Sequence, residues 1–210
     1  MFVTAALLAA SLQSAPLVAL DEIRTYERAA WDRSATACDV EASHPDDPES
    51  VGEGVARAEM DLEAAVAACL EAVEADPANP RLNYQLARAY GYSGLHAEGQ
   101  PYRDAALKAG YPQSLFVVGY IRLTGWDGRG ADPCYGGELI RLSAHAGRFA
   151  GLVGFAHYAL TGQFDGCAPD TPRIDRDEML GFLSEAGEQA SGFYQQALVE
   201  QLTARVEAMD

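Results

Sequence analysis

Apolar positions along this chain recur mostly three and four residues apart, the spacing of one helical face. From Asp21 to Ala37, residues Ile23, Tyr26, Ala30 and Trp31 recur at that spacing with charges between them, which predicts a first helix. Residues Asp39 to Gly54 are polar and carry Pro45, Pro48, Gly52 and Gly54, the composition of a loop. From about Val55 to Ala75 the face Leu62, Val66, Cys69, Leu70 and Val73 predicts a second helix. Asp76-Pro77-Ala78-Asn79-Pro80 stops it, because proline lacks the amide donor and clashes with a continuing helix. Further helices are expected near 82–93, 98–109, 113–124, 134–146, 149–161, 178–190 and 192–207. The last alternates apolar positions with Gln195, Gln196, Glu200, Gln201 and Arg205, as a capping helix with one wet face does.

One phrase occurs three times. Ala106-Leu107-Lys108-Ala109-Gly110 returns as Ser143-Ala144-His145-Ala146-Gly147 and as Leu183-Ser184-Glu185-Ala186-Gly187, at spacings of 37 and 40 residues. A period of that size marks stacked repeats. Asp76-Pro77-Ala78-Asn79-Pro80, with Tyr84, Leu86-Ala87, Tyr90 and Gly94 after it, resembles the junction between tetratricopeptide repeats. Farther on, Val118-Gly119, Gly125, Gly128, Gly130 and Asp132, then Leu139, Leu142, Ala144, Ala146 and Gly147, are similar to the sister Sel-1-like repeat. Phe155-Ala156 and Leu160-Thr161-Gly162 repeat Val118-Gly119 and Leu123-Thr124-Gly125 after 37 residues. The chain departs from that pattern at Arg122 and Ala159, where an aromatic is usual, and in the long loop Gln163 to Arg176. The resemblance covers about Asp61 to Gly187. It implies an all-α fold, an α-solenoid of antiparallel helix pairs whose first helices line a peptide-binding face. On this reading residues 21–75 are N-terminal capping helices with a polar loop, and 76–210 are the repeat domain with its cap helix.

The first 20 residues contain no charged side chain, and Phe2 to Ala10 are apolar, so 1–20 resembles a secretory signal peptide without a basic start. Leu17-Val18-Ala19 offers a small-residue exit, whereas a cut after Ala15 meets Pro16. Left uncut, the segment is just long enough for a membrane anchor. The expected location is the periplasm or the exterior. Cys38, Cys69, Cys134 and Cys167 are then an even count behind an export signal, the usage of disulfides. Cys134 opens one helix and Cys167 follows the end of the next. In an antiparallel hairpin turning at Gly147 those two ends adjoin, closing a loop of about 34 residues. Cys38 and Cys69 remain for each other, with a buried free Cys69 thiol as the alternative in a reducing compartment. Zinc is disfavoured, since no two cysteines have short ligand spacing.

Net charge is −16, from 31 acidic and 15 basic residues, which opposes unaided binding of nucleic acid or anionic lipid. His44 and His96 fall in a loop and a turn, while His145 and His157 flank the Gly147 hairpin as ordinary helix histidines. There is no helical zinc-protease motif and no nucleophile elbow, and the only lysine, Lys108, has Ala105 three residues before it rather than serine. Asp165, Asp170, Asp175, Asp177 and Glu178 do not follow the calcium-loop pattern and suit a helix N-terminus. Gly125-Trp126-Asp127-Gly128-Arg129-Gly130 follows a helix rather than a strand, so it is no ordinary phosphate cradle. Trp126 is either an exposed loop contact or the cover over the end of a helix pair.

The candidate partner-binding residues are Tyr84, Arg88, Tyr120, Arg122, Trp126 and Tyr158. The expected function is a non-catalytic scaffold, adaptor or regulator that binds a protein or peptide, with no cofactor and no metal. The second reading is an envelope hydrolase or an accessory protein that binds penicillin.

Overall fold

Local signals start most of the helices. Pro80, Pro112 and Pro133 stand in the first turn of α3 (Pro80–Tyr92), α5 (Pro112–Thr124) and α6 (Pro133–His145), where the missing amide proton has no helical acceptor to lose. Asp61, Asn79, Asp132 and Asp175 cap α2 (Leu62–Ala75), α3, α6 and α8 (Arg176–Gln189) by accepting backbone amides of the first turn. With α1 (Ala37–Ala42), α4 (His96–Lys108), α7 (Phe149–Leu160) and α9 (Phe193–Glu207), these make nine α-helices among the described residues. The computed structural model describes residues 17–209. Among the described residues the fold is all-α, and the only β pairing is a single bridge between Asp170 and Arg173.

The helices pack in chain order, with one break. α1 to α4 pack in succession around Cys38, Ala42, Met60, Cys69, Leu82, Leu86 and Ala89. α5 to α9 do the same around Ile140, Leu152, Phe155, Met179, Phe182, Leu183, Leu202 and Val206. Between α4 and α5 contact is sparse. Part of that seam is filled by the N-terminal segment, whose Val18, Leu20 and Ile23 pack with Leu107, Leu115, Val118 and Leu139. Tyr26 follows, edge-on to the buried Tyr111 ring at 5.6 Å.

This docking explains the main departure from the sequence reading. The helix expected over Asp21 to Ala37 does not form; the segment is extended, with 3-10 turns at Leu20–Glu22 and Arg28–Ala30. Its amide at Arg24 donates to the carbonyl of Lys108 at 2.9 Å, an acceptor at the end of α4 rather than one turn back in its own helix. The second expected helix is also shorter. It begins at Leu62 behind the Asp61 cap, while Val55 donates its amide to Ser43 at 2.8 Å. The later helices lie within about two residues of their expected bounds.

Two copies of the repeated phrase do the same structural work. Gly110 and Gly147 end α4 and α6 with φ of 70° and 74°. The residues after them close equivalent turns, Tyr111 N to Ala106 O and Arg148 N to Ser143 O, both 3.1 Å. The third copy differs: Ala186-Gly187 lies inside α8, which continues to Gln189.

Candidate functional site

Helix α5 places Phe116 and Tyr120 one turn apart, so their rings stack with centroids 6.4 Å apart. Gly125 then turns the chain through φ 70° and delivers Trp126 edge-on to Tyr120, with centroids 6.3 Å apart. Trp126 is 73% exposed and Tyr120 37%. Helix α7 adds Tyr158. A methyl group on Gly154 would lie 3.6 Å from the Phe116 ring and 3.7 Å from the Tyr158 ring, so the two aromatics flank a position without a side chain. Burial pushes the Tyr158 phenol above its ordinary range, with the neighbouring Tyr120 adding to it. The Arg148 guanidinium lies 5.6 Å from the Phe116 ring centre. The result is a contiguous aromatic surface built from α5, the loop after it and α7. Three of the six candidate contact residues, Tyr120, Trp126 and Tyr158, meet in it.

The other three are interior. Tyr84 is buried against Tyr111, with ring centroids 5.6 Å apart. Arg88 is buried and donates to the carbonyls of Ala42, Ser43 and Val55 at 3.0, 2.8 and 2.7 Å. Arg122 is buried and pairs with Asp127 at 3.2 Å, which steadies the loop bearing Trp126. Tyr84, Arg88 and Arg122 are therefore positioned by the chain's own segments and do not face solvent.

Sequence reasoning missed that residues 32–55 lie over α3. Asp39 is paired with Arg81 and accepts from Gln85 at 2.9 Å, and Gln85 also donates to Ser43 at 3.0 Å. Tyr111 donates its phenol proton to Asp47 at 2.7 Å. Burial drives the Asp47 carboxyl up to about 6. Burial also drives the nearby His44 imidazole down to about 4, with the Arg88 charge adding to the effect. The available signal was the stripe Arg81, Gln85 and Arg88, one and two turns apart on a helix that must bury several faces.

The four cysteines form two pairs at bonding distance. Cys38 meets Cys69 with Cα atoms 4.4 Å apart, and Cys134 meets Cys167 at 5.4 Å. The histidines of the Gly147 hairpin have separate environments: His145 contacts Glu178 at 2.9 Å, and His157 lies against the Tyr158 ring. Asp175 is the α8 cap, and Glu178 also holds Arg141 at 2.7 Å. Among the described residues, no three His, Cys, Asp or Glu side chains gather as metal ligands would.

No protein-family model, no curated protein and no solved structure matches this chain. Among the described residues no helix is long and apolar enough to cross a membrane. The leader expected over 1–20 lies outside the described residues as far as residue 16.

Proposed function

We propose that this protein is a non-catalytic binding module, a scaffold, adaptor or regulator that takes a segment of a partner protein on its aromatic surface. The observation that carries the reading is the continuity of Phe116, Tyr120, Trp126 and Tyr158 across two helices and a loop. Exposed aromatics that are held in place supply large contact area at little entropic cost, which is why they dominate binding hot spots. Arg122 and Asp127 hold the Trp126 loop from beneath.

The same proposal takes the architecture as a helical-repeat solenoid of tetratricopeptide or Sel-1-like type. Support comes from the matched turns at Gly110 and Gly147 and from Gly125 and Gly162, also 37 residues apart, with φ of 70° and 74°. The two cysteine pairs favour an oxidising compartment, the periplasm or the exterior.

The test is a pull-down from envelope extract of the native host with the tagged, oxidised protein and with a Tyr120→Ala/Trp126→Ala variant. The expected result is a partner recovered by the parent and lost by the variant, with melting temperatures within about 2 °C. Equal recovery by both proteins, or no partner at all, would overturn the assignment of this surface.

A further inference from the structure

The segment Leu17–Tyr26 is held by contacts on both sides of Ala19, the end of the Leu17-Val18-Ala19 exit. Val18 is 5% exposed, packed among Leu107, Leu115, Val118 and Leu139. Its carbonyl accepts the phenol proton of Tyr135 at 2.6 Å. The Ala19 amide donates to Glu22 at 3.1 Å, and Glu22 in turn pairs with Lys108 at 2.9 Å. Arg24 reaches the Lys108 carbonyl, and its own carbonyl passes so close to Gly110 that a Cβ there would collide with the oxygen. These contacts come from α4, the turn after it, α5 and α6, the elements on either side of the seam where α4 and α5 hardly touch.

A cut after Ala19 would delete Val18 from that cluster. It would take Val18 off Leu107, Leu115, Val118 and Leu139 along the seam and leave Leu20 and Ile23 as the segment's remaining apolar cover there. It would also remove the acceptor of the Tyr135 phenol and place a new ammonium at Leu20, a residue packed against the same cluster.

We infer that leader removal takes place on the N-terminal side of Leu17, and that the mature chain keeps Leu17–Tyr26 as a strap joining α4 to α5 and α6. The Leu17-Val18-Ala19 exit is then a strap sequence and not a processing site. The position of the cut rests on the export reading proposed above; the strap does not.

The experiment uses the full gene with a C-terminal tag in an export-competent Gram-negative host, followed by intact-mass analysis of the periplasmic protein. The expected mass begins at Leu17 or upstream. A folded, disulfide-bonded product beginning at Leu20 would overturn the inference. Melting of full-chain variants provides the second readout. Val18→Asp is expected to lower the midpoint by about 5 °C or more, and Tyr135→Phe by less. Leu17→Asp, at a position 39% exposed, leaves it unchanged. Should Val18→Asp fail to fold, Tyr135→Phe against Leu17→Asp decides the same point. An uncut chain retained in the cytoplasm would overturn export and with it the cut site, and the melting series would then judge the strap alone. Midpoints unchanged in both Val18→Asp and Tyr135→Phe would overturn the strap.

Discussion

Asp39 and Arg81 form an ion pair that solvent scarcely reaches, their side chains 1% and 4% exposed. The carboxylate also accepts from Gln85 at 2.9 Å and from the Thr36 amide and hydroxyl at 2.8 Å each. Removing it strands a buried guanidinium. Asp39→Ala is therefore expected to cost about 3–5 kcal/mol, measured by urea denaturation of the oxidised protein. The double variant Asp39→Leu/Arg81→Met is expected to recover part of the loss, because replacing both partners leaves no orphaned charge. A loss below about 1 kcal/mol for Asp39→Ala would mean that the pair does not fasten the N-terminal segment to α3.

Gly110 and Gly147 separate two costs that alanine imposes at a left-handed position. Both carry φ near 70°, so each substitution meets the same backbone penalty, about 1–2 kcal/mol. At Gly147 the added methyl lies 3.0 Å from the Glu185 carboxylate, the end of a flexible side chain. At Gly110 it would run into the backbone carbonyl of Arg24. Gly110→Ala is thus expected to destabilise clearly more than Gly147→Ala, by about 1–3 kcal/mol, in parallel thermal melts. Equal losses would show that the strap yields freely.

Cys134 and Cys167 tie the start of α6 to the stretch after α7, and Cys38 and Cys69 tie α1 to α2. Protein unfolded without reductant and exposed to an alkylating agent is expected to gain no mass. Cys134→Ser/Cys167→Ser is expected to cost about 2–4 kcal/mol, since it opens a loop with a sequence separation of 33. Four alkylated cysteines would remove both the disulfides and the support they lend to an oxidising compartment.

What the sequence discloses divides along physical lines. Helices α3, α5, α6 and α8 were legible because their starts are local chemistry, with Pro80, Pro112 and Pro133 in first turns and Asn79, Asp132 and Asp175 at caps. The Trp126 loop was legible for the same reason, as a glycine-rich stretch after a helix. The spacing of Ile23, Tyr26, Ala30 and Trp31 is helical too, yet Ile23 and Tyr26 are spent on two different clusters across the α4–α5 seam. Local periodicity carries no record of such partners. Arg88 was misplaced for a related reason, because its acceptors at Ala42, Ser43 and Val55 lie 33 to 46 residues before it. An arginine on an amphipathic helix looks solvated until another segment covers it.

His44 and Asp47 stand on one stretch over α3 and titrate in opposite senses. His44 faces Arg88, Arg148 and Asp46, and burial holds its pKa near 4, below the ordinary 6.5. A depressed folded value means that its contribution to stability is present above pH 6.5 and is lost as pH falls toward 4. Asp47 faces Tyr111, Glu49 and Arg148, and burial raises it from 3.8 to about 6. A raised folded value means that its contribution is present below pH 3.8 and is lost as pH rises through 6. Between pH 4 and 6 the two slopes oppose each other and flatten the parent profile. Asp47→Asn should therefore gain stability relative to the parent as pH rises from 4 to 7, because it no longer ionises a buried carboxyl. His44→Gln should gain relative to the parent as pH falls over the same range. The effect at His44 should be the smaller, since its side chain is only half-buried and solvent screens it. Melting temperatures of the three proteins at pH 4, 5, 6 and 7 provide the check. Variant profiles that run parallel to the parent would show that neither group changes its protonation within this window on folding.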